Sequence, residues 1–374
     1  MESQKPLLYL HIGYPKTGSS SIQNFCYRNK ALLLEKGTCY PDPRPEGLLR
    51  NFNVGHIFCC DSLKYTNYVV PDWRKVRQHY MDEMLESGCP ENLLSSEQFL
   101  FEHSDTLAFW QERFTIHGIC YFRTLFDYLG SLQKEFIKEC LRPDVFTFTL
   151  FRNHRILGSL KYLIGATGGP GNWTFRDFDA VRASETGLIP DFMRIIGVDD
   201  LAGFAPVKAQ NLTPPDAQLT FLYQLSFVPF DYEQAFSIRR DVTHMALPEG
   251  RGFRNNFLPA DIYALDDYAT WAVNFQGELL GRPDWLERTV ERGRELARIP
   301  YRDLPPGLQW DIFERLSGQS QDILRKFLLI PPGGRSEPFL PSMRNVEEKL
   351  PMLLPLWARY ISLLGEQLKS RMKR

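Results

Sequence analysis

The sequence predicts an α/β fold in which a mostly parallel β-sheet carries helices on both faces. Two observations indicate it: short apolar runs alternate with stretches of helical spacing, and glycine or proline residues separate them. The chain has 374 residues, enough for one large α/β domain or two smaller ones. Ligands of such sheets bind beyond the carboxyl ends of the strands, so residues at those ends are the first candidates for a site.

The elements follow in order along the chain. Short buried runs predict four strands, at residues 7–12, 91–97, 117–123 and about 172–178. Apolar residues that recur at spacings of three and four predict helices at residues 20–36, 73–87, 125–137, 185–197, 212–226 and 259–281.

Residues 1–299 are predicted to form the α/β domain, and residues 300–374 a helical C-terminal extension packed on it. The final stretch, LPLWARYISLLGEQLKSRMKR, is amphipathic and ends in a basic cluster. Its pattern favours a helix docked on the domain; contact with a membrane surface is the alternative.

Composition excludes some classes of protein. There are 44 basic and 45 acidic residues, so no global positive field would attract nucleic acid. The seven cysteines are odd in number and show no CxxC spacing, which favours reduced thiols over disulfides or a metal site. Neither a signal peptide nor an apolar run of about 20 residues is visible, which indicates a cytoplasmic protein without a transmembrane segment.

The first strand leads into the loop GYPKTGSS, residues 13–20, and then into a helix. Its glycines allow successive backbone N–H groups to point at an anion, and the helix N-terminus adds roughly half a positive charge. Lys16 adds a full charge, and the hydroxyls of Thr17, Ser19 and Ser20 can donate hydrogen bonds. The loop therefore predicts an anion site of the phosphate type.

A nucleotide kinase-like phosphotransferase would need GxxxxGK[ST], with the lysine after the second glycine. Here Lys16 comes two residues before Gly18, and no apolar strand ends in an aspartate that could hold magnesium. The kinase-like enzyme remains an alternative, as does a catalytically silent nucleotide-binding protein.

The stretch HIGYPKTGSSSIQ resembles the 5′-phosphosulfate loop of sulfotransferases that use 3′-phosphoadenosine 5′-phosphosulfate (PAPS), most closely the bacterial carbohydrate-type branch. That family's second motif is an apolar strand ending in arginine, with a serine eight residues later. ICYFRTLFDYLGS matches it through Arg123 and Ser131, although Thr124 replaces the usual proline. The resemblance covers roughly residues 6–285.

The resemblance implies a P-loop-type sheet and an enzyme that moves a sulfuryl group from PAPS to a hydroxyl, on a carbohydrate or glycolipid, by in-line displacement without a metal. The product would be 3′,5′-bisphosphoadenosine (PAP). Lys16 would contact the sulfate and the bridging oxygen, and residues 15–20, from Pro15 to Ser20, would cradle the 5′-phosphate. Arg123 and Ser131 would hold the 3′-phosphate.

Sulfuryl transfer also needs a base for the acceptor hydroxyl. The family's position for it, after the strand that precedes the arginine motif, is Glu97, whose carboxylate either of the two preceding serines could orient. His56 is a second candidate for contact with the acceptor, although a lone histidine beside apolar residues is more often packed. Arg251 and Arg254 are weaker candidates for clamping the nucleotide or an acidic acceptor, and His11 is interpreted as structural.

Overall fold

The computed structural model describes residues 5–14, 16–44, 55–56, 73–97, 99, 104–140, 156–207, 215–226, 228, 230–247, 267–297, 303–328, 330 and 337–340. Pro15, Arg251, Arg254 and the amphipathic stretch 354–374 lie outside these residues, so their predicted roles stay predictions.

The chain divides into two compact units. The first comprises Met1–Thr124, Arg152–Asn211 and Tyr268–Leu286, and the second comprises Leu125–Phe151, Leu212–Asp267 and Glu287–Arg374. The predicted division into residues 1–299 and 300–374 stays a prediction.

The first unit is built on a five-stranded parallel sheet, which confirms the α/β class and the parallel arrangement. Its strands stand in the order β2-β3-β1-β4-β5. They are β1 (Leu7–Ile12), β2 (Thr38–Cys39), β3 (Glu91–Ser96), β4 (Thr115–Phe122) and β5 (Trp173–Asp177). The four predicted strands are all present, and β2 is an addition whose two residues are too few to give a sequence pattern.

The described helices agree with most of the predicted ones. They are α1 (Ser19–Arg28), α2 (Lys30–Glu35), α3 (Trp73–Glu86), α4 (Ser104–Gln111), α5 (Leu125–Cys140), α6 (Ile156–Ala166), α7 (Phe178–Ala183), α8 (Leu188–Ile195), α9 (Asp216–Leu225), α10 (Tyr232–Thr243), α11 (Asp267–Leu280), α12 (Trp285–Ala297), α13 (Pro306–Arg315) and α14 (Gly318–Phe327). Among them, none is long and apolar enough to cross a membrane.

The predicted single helix over residues 20–36 is wrong in one respect, because it breaks at Asn29. The side-chain amide of Asn29 donates to the carbonyl oxygens of Phe25 and Ala205, and its oxygen accepts from the Ala205 N–H. The side chain thus caps α1 and ties its end to a distant segment. Gly37 then ends α2 with a φ of 90°.

Alternation along β1 gives the sheet two buried faces. Leu8, Leu10 and Ile12 point to one face, and Tyr9 and His11 to the other; all are buried. On the second face, Tyr9 joins a core cluster that also contains Ile22, Phe25, Cys26, Leu93, Ile119, Tyr121, Phe178, Phe192, Met193 and Ile196. This cluster holds α1 and α8 against the sheet, which fixes where the loop before α1 leaves β1.

The second unit is helical and has its own core. Its buried side chains include Ile137, Leu219, Phe221, Leu222, Ile238, Trp310, Ile312, Phe313, Leu324 and Phe339. Residues from α13 and α14 therefore pack in the same core as residues from α5, α9 and α10.

Strand order places the end of β1 at a crevice. From β1 the chain runs to β2 at one edge, whereas from β3 it runs to β4 on the opposite side of β1. Connections that leave neighbouring strands in opposite directions open a crevice beyond their carboxyl ends, which is where ligands of such sheets bind.

Candidate functional site

The loop after β1 turns tightly and is fixed by its own hydrogen bonds. The Thr17 hydroxyl donates to the Tyr14 carbonyl at 2.5 Å, and the Tyr14 ring is fully buried against Phe122, with ring centroids 5.7 Å apart. The N–H groups of Ser21 and Ile22 both donate to the Gly18 carbonyl, which starts α1. Because a helix leaves its first N–H groups without intrahelical partners, this turn presents backbone donors at the crevice.

Two loop residues have left-handed backbone. Gly18 has a φ of 78°, and a Cβ there would lie 2.4 Å from Leu188 Cδ2, so both conformation and space favour glycine. Lys16 has a φ of 65° and is, among the described residues, the only non-glycine with positive φ. Such conformations are uncommon for L-residues and are concentrated at functional sites.

Glu97 follows β3 directly and meets the loop. The Ser19 hydroxyl donates to Glu97 Oε1 at 2.5 Å. Gly13 makes this approach possible, because a Cβ at that position would lie 2.7 Å from Ser19 Cβ and 2.9 Å from Glu97 Cγ. The segments that follow β1 and β3 therefore lie in contact, as strand order predicts.

The sequence predicts that one of the two serines before Glu97 can orient its carboxylate. The Ser95 hydroxyl is hydrogen-bonded to His11 Nδ1 at 2.7 Å, so it is engaged away from Glu97. Glu97 accepts a hydrogen bond from Ser19, which belongs to the first loop, and the predicted part of Ser96 in orienting Glu97 stays a prediction. Ser19 was predicted to contact a phosphate, and a hydroxyl has only one proton to donate.

Arg123 ends β4 and is largely buried, with 12% of its side chain exposed. Its Nη1 donates to the Lys16 carbonyl at 3.4 Å, which joins β4 to the first loop. Its Nε and Nη2 donate to the two carboxylate oxygens of Asp179 at 3.2 and 3.0 Å, and its guanidinium lies 5.2 Å from the centre of the Phe178 ring.

Ser131 is half-buried on α5, within the second unit. Its predicted role beside a 3′-phosphate stays a prediction.

His56 is fully buried, and both ring nitrogens are engaged. The Ser95 N–H donates to His56 Nδ1 at 3.1 Å, so the proton lies on Nε2, which donates to the Pro41 carbonyl at 2.9 Å. Burial lowers the pKa of His56 to about 4. The ring also packs edge-on against Tyr40 and Tyr80. This arrangement favours a packing role, and contact of His56 with the acceptor stays a prediction.

His11 is likewise buried within β1, as its interpretation as a structural residue anticipates. Burial lowers its pKa to about 3, and its ring packs edge-on against Tyr121 and Phe192. Its Nε2 has no hydrogen-bond partner among the described residues.

The cysteines described are free thiols, and Cys26, Cys39 and Cys120 are buried. Burial raises the pKa of each of these three thiols. For Cys26, Cys39 and Cys120 the predicted packing is confirmed, and the predicted reduced state stays a prediction.

Asp179 is the site residue that the sequence did not predict. It follows β5 by two residues, and Arg123 follows β4 directly, so both lie at the same edge on neighbouring strands. An acidic residue just after the strand beside an arginine-ending strand is the signal that could have found this pair.

Comparison of the chain with protein-family models, with curated protein sequences and with solved structures found no match.

Proposed function

We propose that this protein is a PAPS-dependent sulfotransferase with a P-loop-type sheet, acting on a hydroxyl of a carbohydrate or glycolipid. The observation that carries the proposal is the meeting of three strand ends at one loop. Lys16 and Ser19 belong to that loop, Glu97 contacts it through Ser19, and Arg123 contacts it through the Lys16 carbonyl. Sulfuryl transfer requires a cation near the leaving phosphate and a base near the acceptor, and Lys16 and Glu97 are suited to these two roles.

The donor set fits a nucleotide with several phosphate oxygens. The turn into α1 offers backbone N–H groups, Lys16 supplies a positive charge, and Arg123 supplies a guanidinium suited to phosphate. Ser20 adds a hydroxyl, whereas the predicted contact of the Thr17 hydroxyl with the phosphate is not part of this set, because that hydroxyl is buried and donates its proton to the Tyr14 carbonyl. The donor nucleotide would supply the sulfuryl group and a phosphate leaving group.

Glu97 would take the proton of the attacking acceptor hydroxyl. Its carboxylate lies beside the loop, where it accepts a hydrogen bond from the Ser19 hydroxyl. Lys16 would stabilise the negative charge that grows on the leaving phosphate. An in-line displacement needs this base and this cation on opposite sides of the sulfur.

The first experiment compares ligands by thermal unfolding of the full chain. We expect PAP to stabilise the protein more than ATP with magnesium does. In this loop Lys16 precedes Gly18, whereas in a kinase-type loop the lysine follows the glycine. A ligand at 100 times its dissociation constant adds about 2.7 kcal/mol. Stabilisation by magnesium–ATP alone would instead support the kinase-like alternative.

The second experiment measures transfer. Release of PAP from PAPS is followed with a panel of oligosaccharide and glycolipid acceptors. PAP binding without transfer to any acceptor of the panel would favour the silent nucleotide-binding alternative over the enzyme.

A further inference from the structure

The guanidinium of Arg123 is held by an internal anion. Asp179 accepts from both Nε and Nη2, which form one side of the planar fork, while Nη1 faces the Lys16 carbonyl. The two parallel bonds of 3.2 and 3.0 Å give the bidentate geometry that arginine also uses with phosphate. The side of Arg123 best suited to a phosphate is therefore occupied by a carboxylate.

Exposure of the two partners is unequal. The Arg123 side chain is 12% exposed, whereas that of Asp179 is 31% exposed. Arg123 is supported from behind by the Phe178 ring and by the loop carbonyl of Lys16. The carboxylate is therefore the more solvent-accessible member of the pair.

We propose that Asp179 is an internal substitute for the ligand's phosphate. In the ligand-free protein it holds Arg123 in the bidentate geometry, and a phosphate group takes its place when the nucleotide binds. This inference rests on the proposed function, because it identifies the competitor within the same site. Asp179 acts through Arg123 and is a positioning residue.

The exchange has an energetic consequence. A phosphate gains its bonds to Arg123 only by displacing bonds that Asp179 already makes, so the net gain is smaller than for an unoccupied guanidinium. If the carboxylate stayed near, it would also repel the phosphate, because like charges a few ångströms apart disfavour each other. Removing the charge of Asp179 should therefore tighten anion binding rather than weaken it.

The test is calorimetric titration of PAP into the native chain, Asp179→Asn and Asp179→Glu. Asparagine keeps the shape but not the charge, and we expect it to bind PAP about tenfold tighter or more, because charge-assisted bonds contribute roughly 1.5–3 kcal/mol. Asp179→Glu keeps the competing charge and should bind like the native chain. In an Arg123→Ala background, Asp179→Asn should give no gain.

Asp284→Asn is the matched control. Asp284 accepts two bonds of 3.1 Å from Arg282 in the same unit, so the change removes a bidentate carboxylate, more exposed than Asp179, from a different arginine that also contacts Asp177. Its PAP affinity should stay close to native. Equal or weaker binding by Asp179→Asn, with native-like thermal unfolding, would overturn the inference and make the pair purely structural.

Inorganic phosphate separates this inference from the proposed function. If no variant binds PAP but phosphate raises the melting temperature of Asp179→Asn more than that of the native chain, Asp179 competes for anions and the nucleotide assignment fails. If the native chain binds PAP and Asp179→Asn binds no tighter, the inference fails alone. If neither ligand binds any variant, both are wrong.

Discussion

Lys16 combines an unfavourable backbone conformation with a charge at the crevice. Left-handed backbone costs an L-residue roughly 1–2 kcal/mol, and glycine removes most of that cost at the expense of a more flexible unfolded chain. We expect Lys16→Gly to be as stable as the native chain or slightly more stable, and more stable than Lys16→Ala by about 0.5–1 kcal/mol. Urea unfolding of the three proteins measures this.

If Lys16 has the proposed role, both variants should lose turnover by about two orders of magnitude or more, because each removes the charge proposed to stabilise the leaving phosphate. The catalytic role of the Lys16 charge would then account for a lysine at a position where glycine is at least as stable. Near-normal PAP release by either variant would show that Lys16 has no part in the chemistry.

Glu97 depends on Ser19 for its place beside the loop. Glu97→Gln keeps the shape but cannot accept a proton, so turnover should fall about 10²–10⁴-fold with PAP affinity little changed. Ser19→Ala should cost less, because the carboxylate stays but loses a hydrogen bond of roughly 1.5–3 kcal/mol. Steady-state PAP release measures the turnover of each variant, and PAP titration measures its affinity for PAP.

Glu112→Gln is the control, since Glu112 is exposed in the turn after α4. A Glu97→Gln protein that keeps most of its turnover would exclude Glu97 as the base. His56 would then return as the remaining candidate named from the sequence, although its engaged nitrogens argue against it.

At the scale of elements, Gly13 sets the distance between the end of β1 and the start of α1. In Gly13→Ala the new methyl group would press on Ser19 and Glu97, so the loop must shift. We expect a loss of about 1–3 kcal/mol in unfolding free energy and a fall in turnover larger than the fall in PAP affinity. Unfolding and kinetics of the same preparation test it.

Gly158→Ala on α6 is the matched control, because a Cβ there meets nothing within 4 Å. It should be neutral, or stabilising by up to about 1 kcal/mol. If Gly13→Ala behaves like Gly158→Ala, the close approach of loop and carboxylate is not required for activity.

The elements also show why some predictions hold and others do not. The four longer strands are buried runs between turn residues, so their composition alone indicates them. The break at Asn29 depends on Ala205, which is 176 residues away in the sequence, and no local pattern carries it. Helix α7 is six residues long and too short to establish a period.

At the scale of the whole molecule, parallel topology explains how much of the site could be predicted. Residues that follow parallel strands meet at one edge, so the contacts of the first loop with Glu97 and with Arg123 could be expected from strand ends alone. The partner of each side chain could not. Pairing of Arg123 with Asp179, and of Ser19 with Glu97, depends on distances of about 3 Å that strand order does not set.

Two buried histidines in the first unit make the stability of the folded chain depend on pH in mildly acidic solution. Burial lowers the pKa of His11 to about 3 and that of His56 to about 4, from an ordinary value of 6.5. Below pH 6.5 the unfolded chain binds two protons that the native chain does not, so unfolding becomes easier as pH falls. The stability that comes from keeping them neutral is fully present well above pH 6.5, and it is lost progressively as the pH falls toward about 4 for His56 and about 3 for His11.

We expect the free energy of unfolding to fall, for each histidine, by about 0.7 kcal/mol per pH unit at pH 6.5 and by about 1.4 kcal/mol per pH unit near pH 5, where most carboxylates still stay ionised. Urea unfolding at four pH values gives the slope. His11→Asn and His56→Asn should each be less stable at pH 7.5 through lost packing, yet each should reduce the slope by about one proton, and the double variant by about two. A native slope below one proton, or variants that retain the native slope, would show that these rings do not control the acid response.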